Sequence, residues 1–196
     1  REVTADTLLQ MELEMPTAVG LLPEDFGFDA IGYGCTSGAT MIGEARVDEI
    51  IRATHPQART SNPISACKAA LSALGLKRIA LVTPYEASVT NGMQENLQAG
   101  GFAINAIASF NQADDFTVAR VTAKSILDAI TKVGARDDCD GVFVSCTSLR
   151  ALSIIDEAEA YLGKPVIASN QALSWHLLSL AGLDHDPGNA GSLFRT

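Results

Sequence analysis

The chain has 196 residues, which is enough to bury a substantial hydrophobic core as one large domain or two small ones. Apolar residues make up 47% of it and charged residues 19%, and its net charge of −9 excludes a protein that binds nucleic acid through a basic surface. No apolar run reaches the roughly 18 residues that span a bilayer, and no signal peptide opens the chain, so we expect a cytoplasmic protein that does not bind membranes.

The first part of the chain predicts short elements in the order helix, helix, strand, helix, strand, helix. Proline should end the first helix at Met15 and begin the second, and Gly75 should close the last one. The first strand is too apolar for a surface strand and predicts one buried on both faces, as in a parallel sheet covered by helices. These predicted elements cover residues 4–15, 16–22, 30–33, 41–54, 58–61 and 65–74.

The remainder predicts strands that alternate with helices. Such alternation is typical of right-handed βαβ units and therefore of an α/β fold. The tail after Asp184, which contains Pro187 and two glycines, predicts a loop or flexible end. The strands are predicted over 78–83, 102–109, 141–144 and 165–168. The helices are predicted over 89–99, 115–133, 152–161 and 171–180, with Asp115 or Thr117 as the cap of the second.

One nine-residue stretch occurs twice. Asp29-Ala-Ile-Gly-Tyr-Gly-Cys-Thr-Ser37 matches Asp140-Gly-Val-Phe-Val-Ser-Cys-Thr-Ser148, so the two cysteines stand 111 positions apart (146 minus 35) in matching frames. Each copy predicts an apolar strand that runs into Cys-Thr-Ser, after which a helix begins. Such a turn presents a thiol, a hydroxyl and unpaired backbone N–H groups at the carboxyl end of a sheet, and these groups suit an anionic substrate.

A second internal match indicates a duplication. Ala70-Leu-Ser-Ala-Leu-Gly-Leu76 matches Leu177-Leu-Ser-Leu-Ala-Gly-Leu183 at an offset of 107 positions (182 minus 75). We therefore predict two pseudosymmetric three-layer αβα halves with mostly parallel sheets and an active site in the cleft between them. The halves are residues 1–77 and 78–170, and residues 171–196 are expected to pack back on the first. The opening residues read as the end of a strand, so we also expect residues upstream of Arg1 to be missing.

Two cysteine turns that face each other indicate acid–base chemistry at a carbon. Ligands of doubly wound α/β units bind outside the carboxyl ends of the strands, which would bring Cys35 and Cys146 to opposite sides of one ligand. A thiol at a helix N-terminus has a pKa lowered from about 8.5, so one cysteine can act as base while the other acts as acid. Proton transfer on opposite faces of a carbon next to a carboxylate is the geometry of racemisation, and it needs neither metal nor organic cofactor.

The residues that follow the cysteines are candidate substrate ligands. Thr36, Ser37, Thr147 and Ser148 supply hydroxyls and amides for a carboxylate and for the enolate-like charge that develops, although helix capping alone would also explain them. Tyr85 follows the clearest strand and is placed to donate a phenol hydrogen bond into the cleft.

Other polar residues predict structural roles. The histidines lack ligand spacing, which argues against a metal site, and Gly32-x-Gly34 lacks the third glycine of a dinucleotide-binding loop. Cys67 and Cys139 are expected to be bystanders. Helix caps are expected at Asn91, Asp115 and Asn170.

Over nearly its whole length the chain resembles the aspartate/glutamate racemase superfamily. The similarity is closest to its maleate isomerase, arylmalonate decarboxylase and ectoine-utilisation branches. The resemblance implies two pseudosymmetric α/β domains with the active site between them and no cofactor. It also implies that Cys35 and Cys146 are the catalytic pair, that Tyr85 donates a hydrogen bond to substrate, and that the two Thr-Ser pairs bind carboxylates. It rests on Gly34-Cys-Thr-Ser-Gly38, Val82-Thr-Pro-Tyr85, Ser145-Cys-Thr-Ser148 and Ala168-Ser-Asn-Gln-Ala172.

The presence of both cysteines favours one chemistry within that family. Arylmalonate decarboxylases typically keep only the second cysteine, so the resemblance implies a racemase or cis–trans isomerase of a small carboxylate or dicarboxylate. In maleate isomerase-like members the first cysteine attacks the alkene, bond rotation follows, and elimination gives the trans product. The family's polar residue after its first strand has no match in this chain.

Three alternatives remain open. The first is decarboxylation of the arylmalonate type. The second is a non-catalytic binding protein for a small acid, for example in ectoine utilisation. The third is a redox protein in which Cys35 and Cys146 form a disulfide, although neither lies in a Cys-x-x-Cys motif. A homo-oligomer is compatible with each of them, and fold-level analogy does not choose among them.

Overall fold

Strands and helices alternate along residues 2–184, 188 and 190–196, the residues that the computed structural model describes. The strands are β1 (Ala30–Gly32), β2 (Arg59–Ser61), β3 (Arg78–Thr83), β4 (Ala103–Ser109), β5 (Gly141–Val144) and β6 (Val166–Ala168). The α-helices are α1 (Ala5–Val19), α2 (Thr36–Ile42), α3 (Glu44–Thr54), α4 (Pro63–Ala73), α5 (Ala87–Ala99), α6 (Asp115–Val118), α7 (Ala123–Gly134), α8 (Ile155–Leu162) and α9 (Ser169–Ala181). Short 3₁₀ helices span Glu24–Phe26, Leu152–Ile154 and Ser192–Arg195.

The strands form two parallel sheets. β1 pairs with β2, and the larger sheet has the order β4-β3-β5-β6. β3 lies inside that sheet, where Ile79 is opposite Ile104 of β4 and Gly141 of β5. Because parallel neighbours need a crossover connection, each pair is joined through at least one helix. The prediction of an α/β fold with mostly parallel sheets is confirmed.

The strands that end at the two cysteines differ in depth. All four residues of β5 are buried, because the strand has neighbours on both edges and α7 packs against it. In β1 only Ile31 is buried, while Gly32 is exposed, and β2 is its one described neighbour. The prediction of a strand buried on both faces is therefore wrong for β1.

The main hydrophobic core draws on both ends of the chain. Ile64 and Leu71 of α4 belong to the same buried cluster as Leu81 of β3. Helix α9 packs against α4, β1 and β2, and also against β6 of the larger sheet. Because this core is continuous, it does not mark a boundary, and the division into residues 1–77 and 78–170 stays a prediction.

Two predicted helices have other bounds because of single residues. The helix expected to end at Met15 continues through Pro16 to Val19, so the proline lies inside α1 rather than at the start of a second helix. The helix predicted over 41–54 is divided by Gly43, whose φ of 97° favours glycine, and α2 and α3 meet there.

The helix predicted over 115–133 is also two helices. Asp114, not Asp115 or Thr117, caps α6, and its carboxylate accepts a hydrogen bond from the Thr117 N–H at 2.8 Å. Thr122 caps α7 through the Ser125 N–H. None of the described helices combines the length with the apolar character that a membrane crossing requires.

The C-terminal tail is anchored to the fold. Part of the predicted loop, residues 185–187 and 189, lies outside the described residues. Beyond it, Leu193 is fully buried, and the Glu159 carboxylate accepts hydrogen bonds from the Ser192 N–H at 2.8 Å and the Ser192 hydroxyl at 2.7 Å. The prediction of a loose end is therefore wrong for residues 190–196.

Candidate active site

The two Cys-Thr-Ser segments line one cavity of about 270 Å³ beyond the carboxyl ends of β1, β3 and β5. This volume suits a small molecule. The cavity brings together every residue predicted for the site: Cys35, Thr36, Ser37, Tyr85, Cys146, Thr147 and Ser148. Its remaining described lining comes mostly from the N-terminal segment and α1: Glu2, Val3, Thr7, Leu8, Met11, Gly34 and Asp115.

Cys35 is half-buried and is the N-cap of α2. Its sulfur accepts a hydrogen bond from the Gly38 N–H at 3.3 Å and lies 3.6 Å from the Ser37 hydroxyl. The Tyr33 hydroxyl, which donates to the Met11 sulfur at 3.9 Å, also lies beside the Cys35 sulfur, and burial raises the pKa of Tyr33. Three groups that can donate hydrogen bonds therefore surround the Cys35 sulfur.

Cys146 has a different environment. It is buried, with 7% of its surface exposed, and its backbone has a φ of 107°. The next helical residues after it are Leu152–Ile154, so no helix begins directly after the second Cys-Thr-Ser as the sequence predicted. Burial raises the pKa of Cys146, and hydrogen bonds from the Tyr85 hydroxyl and the Ser148 N–H oppose the rise without cancelling it. The expected lowering of the thiol pKa is wrong for Cys146, which is held as a neutral thiol.

Tyr85 follows β3 and connects the two thiols. Its side chain is 2% exposed, and its hydroxyl hydrogen-bonds Cys146 and Ser37. Burial raises the pKa of Tyr85, so it stays a neutral phenol that can donate. Tyr85 lines the cavity, and its role as a hydrogen-bond donor to substrate stays a prediction.

Ser169, at the start of α9, joins the two cysteine turns. Its fully buried hydroxyl oxygen accepts a hydrogen bond from the Thr36 hydroxyl at 2.9 Å and another from the Cys146 N–H at 3.0 Å. The two turns are also joined directly, because the Thr147 hydroxyl donates a hydrogen bond to the Gly34 carbonyl at 3.0 Å. The relative position of the two turns is thus fixed by bonds between them.

The hydroxyls predicted to bind substrate already have partners in the protein. The Thr36 hydroxyl donates to Ser169 and the Thr147 hydroxyl to the Gly34 carbonyl, as described above. The Ser148 hydroxyl donates to the Asp115 carboxylate at 2.8 Å. Their donor hydrogens therefore hold the turns in place. Ser37 differs, because its hydroxyl faces the Cys35 sulfur and Tyr85.

Sequence reasoning misplaced several polar residues. Asp115 does not cap a helix but lines the cavity, and Asn170 does not cap α9 but donates to the Thr147 carbonyl at 2.8 Å. Asn91 lies inside α5 rather than at its start. Ser169 was not identified as a site residue, although its position directly after a parallel strand could have indicated it.

The remaining cysteines lie apart from the cavity. Cys67 on α4 is fully buried and Cys139 is 2% exposed, and burial raises the pKa of both thiols. Neither lines the cavity. All four cysteines of the chain are free thiols.

Comparison with solved structures supports the fold. The Nocardia farcinica maleate cis-trans isomerase, solved as a Cys-to-Ser mutant with a covalently bound succinylcysteine intermediate, superposes with a TM-score of 0.93 at 23% identity. The match covers 100% of this chain and 82% of that one. A double mutant of arylmalonate decarboxylase in its liganded form gives a TM-score of 0.91 at 25% identity over 99% of this chain and 84% of its own.

Comparison of sequences places the chain in a family. The maleate isomerase of Geobacillus stearothermophilus is 24% identical over 198 residues, which span 97% of this chain and 78% of the relative. The family model described as arylmalonate decarboxylase (Amdase) matches residues 16–194. The chain therefore belongs to the arylmalonate decarboxylase family, and its resemblance to the maleate isomerase and arylmalonate decarboxylase branches of the superfamily is confirmed.

Proposed function

We propose that the protein is a cofactor-independent cis–trans isomerase that acts on a small unsaturated carboxylate or dicarboxylate through a covalent cysteine adduct. The observation that carries this proposal is that one cavity holds two thiols in different surroundings. Hydrogen-bond donors surround the sulfur of Cys35, whereas burial raises the pKa of Cys146 and keeps it protonated. Cys35 can therefore act as a nucleophile and Cys146 as an acid on a ligand in the same cavity.

In the proposed reaction the Cys35 thiolate adds to one alkene carbon, forming a C–S bond as the π bond breaks. The electron pair moves to the other alkene carbon, where the adjacent carbonyl group delocalises it and Cys146 supplies a proton. The former double bond is now single and rotates. The Cys146 thiolate then removes the proton, the double bond re-forms in the trans geometry, and the C–S bond breaks to release the Cys35 thiolate.

Tyr85 can stabilise the Cys146 thiolate that forms after Cys146 has donated its proton. Once Cys146 has given up its proton, its sulfur is a buried anion that needs a hydrogen-bond donor. The Tyr85 hydroxyl already donates to that sulfur and stays neutral because its pKa is raised. The phenol therefore stabilises the thiolate that must persist until the proton returns.

The relatives support isomerisation over decarboxylation. The curated relatives are named maleate isomerases, and one solved relative holds a succinylcysteine adduct. Single-faced protonation after decarboxylation would need only Cys146, and would leave the donors around Cys35 without a role. A racemase would need both thiols to act as bases in turn, which their different environments do not favour.

Proton NMR tests the proposal. The vinylic protons of maleate and of its half-amide, maleamate, distinguish the cis from the trans acid, so both substrates can be followed directly. We expect turnover of at least one of them, and its loss in Cys35→Ser. Cys67→Ala is the matched control, because Cys67 is a buried cysteine outside the cavity, and it should keep its activity. Full activity in Cys35→Ser would contradict the adduct mechanism.

The thiol chemistry also bears on where the protein works. The proposed reaction needs both cysteines reduced, and thiols stay reduced in the cytosol, where glutathione and thioredoxin act. We therefore propose a cytoplasmic location.

A further inference from the structure

We propose that Asp115 makes the site select an acid with one carboxylate and an amide at its other end, in preference to a symmetrical dicarboxylate. This inference rests on the proposed function and specifies its substrate class. It makes Asp115 a specificity-determining residue that faces the second functional group of the substrate.

Asp115 is placed to contact a ligand. It is the first residue of α6, is half-buried, and lines the cavity beside Cys146. Its Oδ1 accepts the hydrogen bond from the Ser148 hydroxyl at 2.8 Å, which fixes the carboxyl group against the second cysteine turn. Its negative charge also contributes to the raised pKa of Cys146, so the two groups are electrostatically close.

The charge of the cavity disfavours a dianion. Its described lining contains two acidic residues, Glu2 and Asp115, and no Lys, Arg or His. A substrate with two carboxylates would bring its second negative charge towards the Asp115 carboxylate, which repels it. Like charges at close range in a partly dehydrated site weaken binding strongly.

An amide matches the same position. An ionised carboxylate only accepts hydrogen bonds and has about four acceptor sites, of which Ser148 uses one. The NH₂ group of a primary amide has two donor hydrogens and can donate to the sites that Ser148 leaves open. An amide also keeps a carbonyl conjugated to the alkene, so the proposed thiolate addition stays available at either alkene carbon.

Binding of unreactive ligands tests the proposal without turnover. Succinate and its half-amide, succinamate, are saturated counterparts of the two substrate classes, and isothermal titration calorimetry can compare them. We expect the native protein to bind succinamate at least about 10-fold more tightly than succinate, and Asp115→Asn to remove or reverse this preference. Equal or tighter binding of succinate by the native protein, or an unchanged ratio in Asp115→Asn, would overturn the proposal.

Asp114→Asn is the matched control. It removes the same charge one residue away, outside the cavity lining, and asparagine is as good an N-cap as aspartate, so α6 should keep its structure. Its succinamate-to-succinate ratio should equal that of the native protein. A shift as large as in Asp115→Asn would mean that net charge rather than a specific contact sets the preference, and would overturn the proposal.

Turnover separates this inference from the proposed function. If the amide preference holds in binding but neither maleate nor maleamate is isomerised, the proposed function is wrong and the selectivity stands. If maleate is isomerised in preference to maleamate and Asp115→Asn does not improve it, the selectivity is wrong and the proposed function stands.

Discussion

The turn at Cys35 and the turn at Cys146 have the same three residues and different structures. After Cys35 the chain enters α2, and the cysteine caps that helix. At Cys146 the backbone adopts a positive φ, and the chain turns without a helix before Leu152. The first sulfur is half-buried and surrounded by donors, while the second is buried and neutral. A duplicated motif therefore yields two chemically different thiols.

The tyrosines at the two sulfurs show the same divergence. Tyr33 precedes Cys35 by two residues, and the equivalent position in the second copy is Val144. The partner of Cys146 comes instead from the end of β3, as Tyr85. Each thiol thus has one phenol, reached by a different route along the chain. This difference allows each thiol to be perturbed separately.

The largest expected difference is in covalent chemistry. Cys146→Ser should still form the adduct between Cys35 and maleate or maleamate but should turn it over slowly, whereas Cys35→Ser should form none. Intact-protein mass spectrometry checks this as a mass increase of one substrate molecule. We expect either variant to lose about 10³-fold or more in kcat/KM. An adduct located on Cys146 in the native protein would reverse the assigned roles.

Removing the Tyr85 hydroxyl should have the next largest effect. Tyr85→Phe deletes the donor to the Cys146 thiolate, and we expect kcat to fall by about 10². Since that hydrogen bond lowers the Cys146 pKa, its loss raises the pKa further, and the alkaline fall in activity should move to higher pH. The pH dependence of kcat measures this shift. A shift to lower pH would contradict the assigned hydrogen bond.

Removing the Tyr33 hydroxyl should affect Cys35 alone. Tyr33→Phe should slow alkylation of Cys35 by iodoacetamide at neutral pH by about 10-fold, because the thiolate loses one donor. Peptide mapping can follow Cys35 and Cys146 separately. Tyr161→Phe, at a tyrosine that is 74% exposed, should leave both rates unchanged. An equal change at Cys146 would show that the effect is not local.

The smallest expected difference concerns the aspartates that open the two copies. The Asp140 carboxylate accepts hydrogen bonds from the Arg78 N–H at 2.9 Å and the Arg78 guanidinium at 2.6 Å, whereas Asp29 is exposed. We expect Asp140→Asn to lower the free energy of unfolding by about 1 kcal/mol, and Asp29→Asn to change it little. Urea unfolding at pH 7 compares the two variants.

The ion pair of Asp140 with Arg78 predicts that the stability of the fold depends on pH in the acidic range. The hydrogen bonds from Arg78 lower the pKa of Asp140 to about 2. Because the folded pKa lies below the unfolded one of about 3.9, this stabilisation is complete above the unfolded pKa and is lost as the pH falls towards 2. The stability difference between the native protein and Asp140→Asn should shrink over that range. A constant difference would mean that the ion pair does not stabilise the fold.

Much of the architecture followed from local patterns, because strongly apolar segments have few alternatives. β3 was predicted with its observed bounds, and β5 likewise, since a short apolar run rich in β-branched residues favours a buried strand. The break at Gly43 was missed because an isolated glycine can also lie within a helix. The role of Asp115 was missed because Asp114 and Asp115 both fit a cap, and only the three-dimensional structure shows which one turns into the cavity.

The site was predicted as a set of residues but not as a network. The repeat identified the two thiols and their Thr-Ser neighbours, and all of them line one cavity. The repeat also suggested equal environments, which the structure does not show, because backbone φ and burial at Cys146 depend on contacts far along the chain. Ser169 and Asp115 contact these turns from positions 23 and 33 residues away in sequence, and no local pattern encodes such contacts.

Ser169 fixes the distance between the two cysteine turns. Its oxygen is shared by Thr36 beside one thiol and by the backbone of the other, so the gap between the turns cannot widen without leaving buried donors unpaired. A molecule must therefore match the gap, since the gap does not adapt to the molecule. We therefore expect a branched or ring-bearing acid to bind more weakly than a linear acid of the same charge.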